Sequence, residues 1–455
     1  MIEGARVLVV GLRTTGLSTA RMLAARGATV TVVEDAPGAP GYARRVEAVR
    51  ATGAQLVESP APDDWAALVA ESTMVVPSPG VRPVHPVYEA AAAAGTPVRG
   101  DIDLGVALAT VPVVAVTGTN GKTTVTTLVA SMLEESGIAA LATGNIGSGV
   151  LDAIESDVDV LVVEVSSFQL HATTASFRPR VAVLLNIAHD HIDWHGSFEA
   201  YVDAKRRVFE HQGPDDVLVF NADDPVVGDL ARSAPGRTVA FASEAAAGTA
   251  GVRDGELLAP DATALATIRE LGPLGPQDLA NAAAAAAASI QVGATPDGIR
   301  SALMKFPRLH HRVELVGKAD GVSYVDDSKA TNPHATLAAL AGVDSAVLLA
   351  GGDAKGVDLA VLREAAGHVR SVVAIGATPE LVEAAFAGAV PVARAASMHD
   401  AVRMAAARAE AGDTVLLSPA CASFDWYDGY EQRGDDFRHE VETLTGADAE
   451  RERKR

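Results

Sequence analysis

Cysteine is nearly absent from this chain of 455 residues: Cys421 is the only one. An intrachain disulfide framework is therefore excluded, and the composition fits a reducing cytosol. Positive charge is also short, with 37 Lys and Arg against 58 Asp and Glu and a net charge of −21. That balance argues against a general nucleic-acid-binding surface, while leaving room for a local basic pocket that takes a small anion. No apolar run of about 18 residues passes without charges or turn signals, so no membrane-spanning helix is expected. The opening MIEGARVLVVG reads as a strand with no basic region ahead of a long apolar segment, and a cytoplasmic protein is expected. What the chain does have is apolar mass: 48% of its residues are hydrophobic, enough for several cores, and its length suggests about three domains.

Three α/β units succeed one another. In RVLVVGLRTTGLSTARMLAARGATVTVVED, a buried strand (Val7–Val10) enters Gly11, a helix follows from about Gly16 to Arg26, and a second strand (Thr29–Val33) closes at Glu34 and Asp35. Arg13 occupies the second glycine position of a dinucleotide-binding turn, with Thr15 and Gly16 after it, so an NAD-type pyrophosphate site is not expected. The turn fits either a nucleotide-sugar site or a purely structural role. VVPSPGV (75–81) is another loop at a strand end, and RGDID (99–103) marks a boundary. The second unit strings apolar strands together in VVAVTG, DVLVVEVSS, RVAVLLNIAHDHIDWH and DVLVFNADDP, and the alanine-rich stretch at 280–290 reads as a closely packed helix. The third, beginning near FPRLHHRVELV, repeats the alternation in VSYVDDSK, AVLLAGGDAKG, SVVAIG and TVLLSPACAS. Such runs predict parallel sheets with helical crossovers, whose chemistry gathers at the strands' carboxyl ends. The charged tail GADAERERKR is expected to fray as a solvated end.

The sharpest local signal is Gly118-Thr119-Asn120-Gly121-Lys122-Thr123-Thr124, between a strand and a helix. Its backbone N–H groups and Lys122 would cradle phosphates, and the Thr123 hydroxyl would ligate Mg²⁺. Glu164 ends an apolar strand; a buried carboxylate needs either a metal ion or a salt bridge to a neighbouring helix. HDHIDWH (189–195) starts like a zinc-hydrolase signature but has Trp194 in place of a further histidine. The preferred reading puts His191 at the nucleotide–metal site and the other histidines at the surface. Asp327, Lys329 and Lys355 follow strands and suit anionic substrates and ribose hydroxyls; each alone reads more readily as solvated surface than as site.

Together the segments TGTNGKTT (117–124), GNIG (144–147), EVSSFQL (164–170), LNIAHDHID (185–193), YVDAKRRVF (201–209) and NADD (221–224) resemble the Mur ligase family. HHRVE (310–314), DDSKATN (326–332), LLAGGDAKG (348–356) and LLSPACASFDWYDGYEQRG (416–434) extend the resemblance through the third unit. SSFQL, DSKATN and SPACASFD point to the branch that adds D-glutamate to UDP-N-acetylmuramoyl-L-alanine through an acyl phosphate, with ATP and two Mg²⁺ ions. The short phosphate loop is shared with sister ligases and folylpolyglutamate synthase, which remain the alternatives. The resemblance implies a Rossmann-like domain at 1–100 for the UDP-substrate, a P-loop ATPase-like domain at 101–307, and a Rossmann-like domain at 308–455. Each would be a mainly parallel sheet with helices on both faces, in a monomer that handles small molecules only.

By the same resemblance, Thr15, Gly16, Glu34, Ser78, Pro79, Gly80 and Asn145 would meet the UDP-substrate. The phosphate loop, Asn281, Arg312 and Asp327 would meet ATP. Lys329 would be catalytic, and Thr331, Lys355, Ser423, Phe424 and Tyr430 would surround D-glutamate. Thr123, Glu164, His191 and Lys205 would hold metal, Lys205 as a carbamate because an ammonium cannot ligate Mg²⁺; the bland alternative pairs Lys205 with Glu199 or Asp203 on a helix surface. Two departures stand out. Gln277-Asp278-Leu279-Ala280-Asn281 replaces the usual H-N-x-x-N, and Glu34-Asp35-Ala36 lacks the usual Thr-Arg.

Overall fold

A computed structural model of the chain describes residues 2–39, 41–271, 275–306 and 310–452, with side chains through 446. The expected junction at 307–308 lies outside the described residues. Three sheets account for the strands, and helices surround them. The first is fully parallel, in the order β3-β2-β1-β4, with β1 Arg6–Val10, β2 Thr29–Glu34, β3 Gln55–Glu58 and β4 Met74–Pro77.

The second sheet has nine strands: β5 Val113–Thr117, β6 Ala140–Gly144, β7 Val160–Glu164, β8 Val181–Leu184, β9 Val217–Asn221, β10 Arg237–Glu244, β11 Thr249–Arg253, β12 Glu256–Leu258 and β13 Ala264–Thr267. From β10 to β6 it runs β10-β9-β8-β5-β7-β6 in parallel, and β11-β12-β13 add antiparallel pairs at the edge. The third sheet comprises β14 Glu314–Ala319, β15 Val322–Asp326, β16 Ala346–Gly351, β17 Val369–Ile375, β18 Val392–Arg394 and β19 Thr414–Leu417, ordered β14-β15-β19-β16-β17-β18. Only β14–β15 is antiparallel, a hairpin turning at Asp320-Gly321, both at positive φ as a twist-matched two-residue turn requires.

Burial explains the apolar runs. In β16, Leu348 and Ala350 pack into one core while Val347 and Leu349 pack into another, and β17 divides its residues the same way. A strand covered on both faces has no polar face to show, so it reads as continuous Val, Leu and Ala. In the second sheet the helix Pro276–Ile290 is buried along Asn281–Ser289 on every side. Its alanines let it lie close to the helix Lys122–Glu135 and to the sheet.

The chain divides into two compact units, Met1–Ile187 with Glu199–Phe306, and Ala188–Phe198 with Pro307–Arg455. The first holds two of the sheets and the second holds the third. No helix among the described residues is long and apolar enough to cross a membrane. The tail expected to fray is instead helical as far as Glu452, continuing the helix that starts at Tyr430.

Candidate active site

The phosphate loop is built by close contacts that leave no room for side chains at two places. A Cβ on Gly118 would stand 2.8 Å from Leu185 Cβ, and one on Gly121, at φ +85°, would stand 2.5 Å from Asn281 Oδ1. Asn186, at the end of the neighbouring strand, pins the loop. Its carbonyl accepts from Thr119 N at 2.8 Å, its Oδ1 accepts from Asn120 N at 2.8 Å, and its Nδ2 donates to Asn120 O at 3.1 Å. Thr119 Oγ1 and Tyr201 Oη lie 2.9 Å apart. Lys122 Nζ donates to Gly118 O at 3.0 Å and to Thr119 O at 2.9 Å, so the ammonium lies over the loop where a phosphate would be gripped.

Lys205 converges on the same carbonyl. Its Nζ donates to Gly118 O at 2.6 Å and sits 4.7 Å from the centre of the Tyr201 ring. At 1% exposure it is no surface residue, so the alternative of a pair on the helix surface does not hold, and Asp203 faces Arg206. Glu164, ending β7 at 2% exposure, makes no salt bridge among the described residues. Asn145 Nδ2 donates to its Oε1 at 2.8 Å, and its Oε2 is buried with no hydrogen-bond partner. A hard cation would satisfy that orphaned carboxylate oxygen, and Thr123 lies in the first turn of the adjoining helix. The donor set fits Mg²⁺.

A cavity of about 940 Å³ in the same unit is lined by Thr15, Glu34, Ser78, Pro79, Gly80 and Asn145, six of the seven residues assigned to the UDP-substrate. The seventh, Gly16, acts by being small: a Cβ there would fall 1.8 Å from Gly11 O. Both oxygens of Glu34 are occupied: Oε2 accepts from Leu12 N in the loop after β1 at 2.7 Å, and Oε1 from Ala36 N in its own turn at 3.0 Å. Arg13 and Arg82 line the cavity and supply cations that the loop after β2 lacks. Asp35 Oδ2 lies 2.8 Å from His85 Nε2, whose ring meets Trp65 edge-on.

In the second unit Asp327 is buried, accepting from Ser418 Oγ at 2.8 Å and Val313 N at 3.3 Å. Burial pushes its carboxyl up to about 7, so the solvated-surface reading fails. Lys329 Nζ donates to Tyr430 Oη at 2.8 Å over that ring, and Lys355, at φ +48°, lies 5.2 Å from the ring of Phe424. Ser423 is buried while Phe424 is 65% exposed. Thr331 N donates to Lys329 O within the same loop, and Arg312 is close enough to Asp327 to favour its ionised form. His191 adopts φ +54° beside Asp190, which also accepts from Asn332 Nδ2 at 3.3 Å, tying 188–198 to the loop after β15. His189 is exposed but stacked on Phe198. Thus Gly118–Thr124, Glu164, Lys205 and Asn281 come together in one unit; His191, Arg312, Asp327, Lys329 and Lys355 belong to the other.

Several residues that brace the site escaped the sequence reading. His311 Nδ1 lies 2.7 Å from Asp326 Oδ2. Arg433, 2% exposed, donates to Ser328 Oγ, Ser328 O and Cys421 O at 3.0, 2.8 and 3.1 Å, fastening the loop that carries Lys329. Gly434 has no side chain because a Cβ would meet His311 Nδ1 at 2.1 Å. The signal was present as QRG (432–434) and as the doubled His310-His311, but partners so far apart in sequence are brought together only by the fold. Cys421 itself is buried, and burial pushes its thiol up to about 12.

Comparison with known proteins gives the family. Residues 5–100 match the Mur ligase MurD-like N-terminal domain, 116–289 the Mur ligase middle domain, and 311–421 the Mur ligase glutamate ligase domain. The chain is 43% identical to a UDP-N-acetylmuramoylalanine--D-glutamate ligase of Desulfosudis oleivorans, over 98% of each chain. It is 41% identical to the enzyme of that name from Thermobifida fusca, over 98% of this chain and all of the other. A solved MurF ligase from Thermotoga maritima in complex with ADP shares the fold, with a TM-score of 0.61 at 19% identity, covering 97% of this chain and 96% of that one.

Proposed function

We propose, from the premise that this chain belongs to the Mur ligase family, that it joins D-glutamate to UDP-N-acetylmuramoyl-L-alanine at the expense of ATP, in peptidoglycan precursor synthesis. The observation that carries this reading is the phosphate loop beside a buried carboxylate with an unmet oxygen, in one unit with a cavity lined by the expected sugar-nucleotide residues. We assign residues 1–100 to the UDP-substrate, 101–307 to ATP, and 308–455 to amino-acid and nucleotide contacts, in a cytoplasmic monomer.

A carboxylate is a poor electrophile. Transfer of the γ-phosphoryl group of ATP to the alanyl carboxylate makes an acyl phosphate and releases ADP. The D-glutamate amine then attacks the acyl carbon, phosphate leaves, and an amide remains. Lys122 and the loop N–H groups offset the charge that develops on the transferred phosphoryl. Thr123 and Glu164 would hold a magnesium ion, and His191 with a carbamate on Lys205 a second; bound there, the cations would offset phosphate charge. Asn281, Arg312 and Asp327 orient the nucleotide. Lys329 and Lys355 meet the anionic groups of D-glutamate, while Thr331, Ser423, Phe424 and Tyr430 shape its pocket.

A panel of amino acids incubated with UDP-N-acetylmuramoyl-L-alanine and ATP, scored by phosphate release, tests the assignment. D-Glutamate should turn over, and D-alanine and D-glutamine should lose at least about 100-fold, because a pocket of two cations left without a carboxylate is costly. Comparable turnover of either neutral amino acid would sink the assignment.

A further inference from the structure

One carboxylate in the cavity of the first unit has no task in the reaction above. Asp101 opens the helix Asp101–Leu108, is 4% exposed and lines the cavity. Gln169 Nε2 donates to its Oδ2 at 3.1 Å. Its Oδ1 is buried and, among the described residues, has no hydrogen-bond partner, although the backbone N–H groups of Asp101 and Ile102 come near enough to the carboxyl to favour its ionised form. An acceptor stripped of water and given no donor costs free energy. A donor supplied by a ligand would recover it.

The neighbouring groups narrow the ligand. Gln169 spends its amide oxygen on Ser166 and its amide nitrogen on Asp101, and Asn145 spends its Nδ2 on Glu164. Each amide gives one N–H to a carboxylate, and the buried oxygen left without a partner is an acceptor. A diphosphate offers only acceptors and would be repelled by the carboxylate, whereas an N-acetylmuramoyl hexose offers two free hydroxyls as donors. Position agrees. Asp101, Asn145 and Gln169 stand by Glu164 and the carboxyl end of β7, where the reacting end of the substrate must arrive, while Gly11–Thr15 and Ser78–Gly80 follow the strands of the first sheet.

We propose that Asp101 is a substrate-binding residue whose Oδ1 accepts a hydrogen bond from a hydroxyl of the hexose part of the UDP-sugar. The proposal rests on the reading of this cavity as the UDP-substrate site. Burial raises the carboxyl only to about 6, so near neutral pH the group is ionised and both oxygens accept.

Titration calorimetry on the full chain separates the two readings. UDP and UDP-N-acetylmuramoyl-L-alanine are each titrated into the wild type, Asp101→Asn, which keeps the shape and the Gln169 bond, and Asp101→Ser, which removes the carboxylate altogether. Both variants should bind UDP within about twofold of the wild type and bind the sugar nucleotide at least about tenfold more weakly, the worth of a charge-assisted hydrogen bond. Their unfolding midpoints should not fall in parallel. Equal weakening of both ligands would make Asp101 a structural residue, and no weakening of either would remove it from the site. Wild-type protein that binds neither ligand would overturn the cavity reading and this proposal together.

Discussion

Two ammonium groups, from Lys122 and Lys205, share the carbonyl of Gly118. Their chemistry should nonetheless differ. Lys122 lies on the loop and can swing to phosphate oxygens. Lys205 is sealed against Tyr201, where a fixed cation would repel a metal ion, and conversion to a carbamate would exchange that repulsion for coordination. Lys205→Ala should therefore be nearly inactive yet regain turnover when formate or acetate is added, since a small carboxylate can fill the vacated space; near-normal turnover without additive would defeat the carbamate. At this scale the sequence was informative wherever a residue lay in a contiguous motif. It was silent on Asp101, whose significance is one oxygen with no donor, and on His311 with Asp326, whose pairing depends on a fold joining residues fifteen apart.

Among the elements, the helix Pro276–Ile290 has the least freedom to change. Ala282–Ala288 are essentially inaccessible, and the helix carries Asn281 against the phosphate loop at Gly121. Adding three carbons at Ala284 would force packed neighbours apart, so Ala284→Leu should cost about 3 kcal/mol in denaturant unfolding, while Ala92→Leu, on an exposed helix position, should change stability by under about 0.5 kcal/mol. Matching midpoints for the two variants would refute the packing account. The parallel strands were legible because burial on both faces writes them as unbroken apolar runs. The strands that went unread are short, small or half polar: β3 (QLVE), β6 (ALATG), β10 (RTVAFASE), β11 (TAGVR), β12 (ELL), β13 (ALAT), β14 (ELVGKA) and β18 (VAR). Their identity comes from neighbours in the sheet rather than from their own residues, which is where local pattern loses its hold.

For the molecule as a whole, buried carboxyls set part of the pH response. Burial raises Asp101 from the ordinary 3.8 to about 6 and Asp327 to about 7. Each ionises more readily in the unfolded chain than in the folded one, so the native state holds the extra protons. Stability contributed by these groups should be full below about pH 4, fall as pH rises through the window to about 7, and level off above it. Asp101→Asn should then raise the unfolding midpoint at pH 8, by up to about 3 kcal/mol in free energy, and do nothing near pH 4; an equal gain at both values would contradict the cause. The sealed thiol of Cys421 has a different use. Because the chain has no other cysteine and this one is buried and poorly ionised, an alkylating dye should ignore the native protein and mark it stoichiometrically once the third sheet opens. The rate of marking would clock that opening without any engineered probe. A cysteine placed on the surface would accept a fluorophore at a single address.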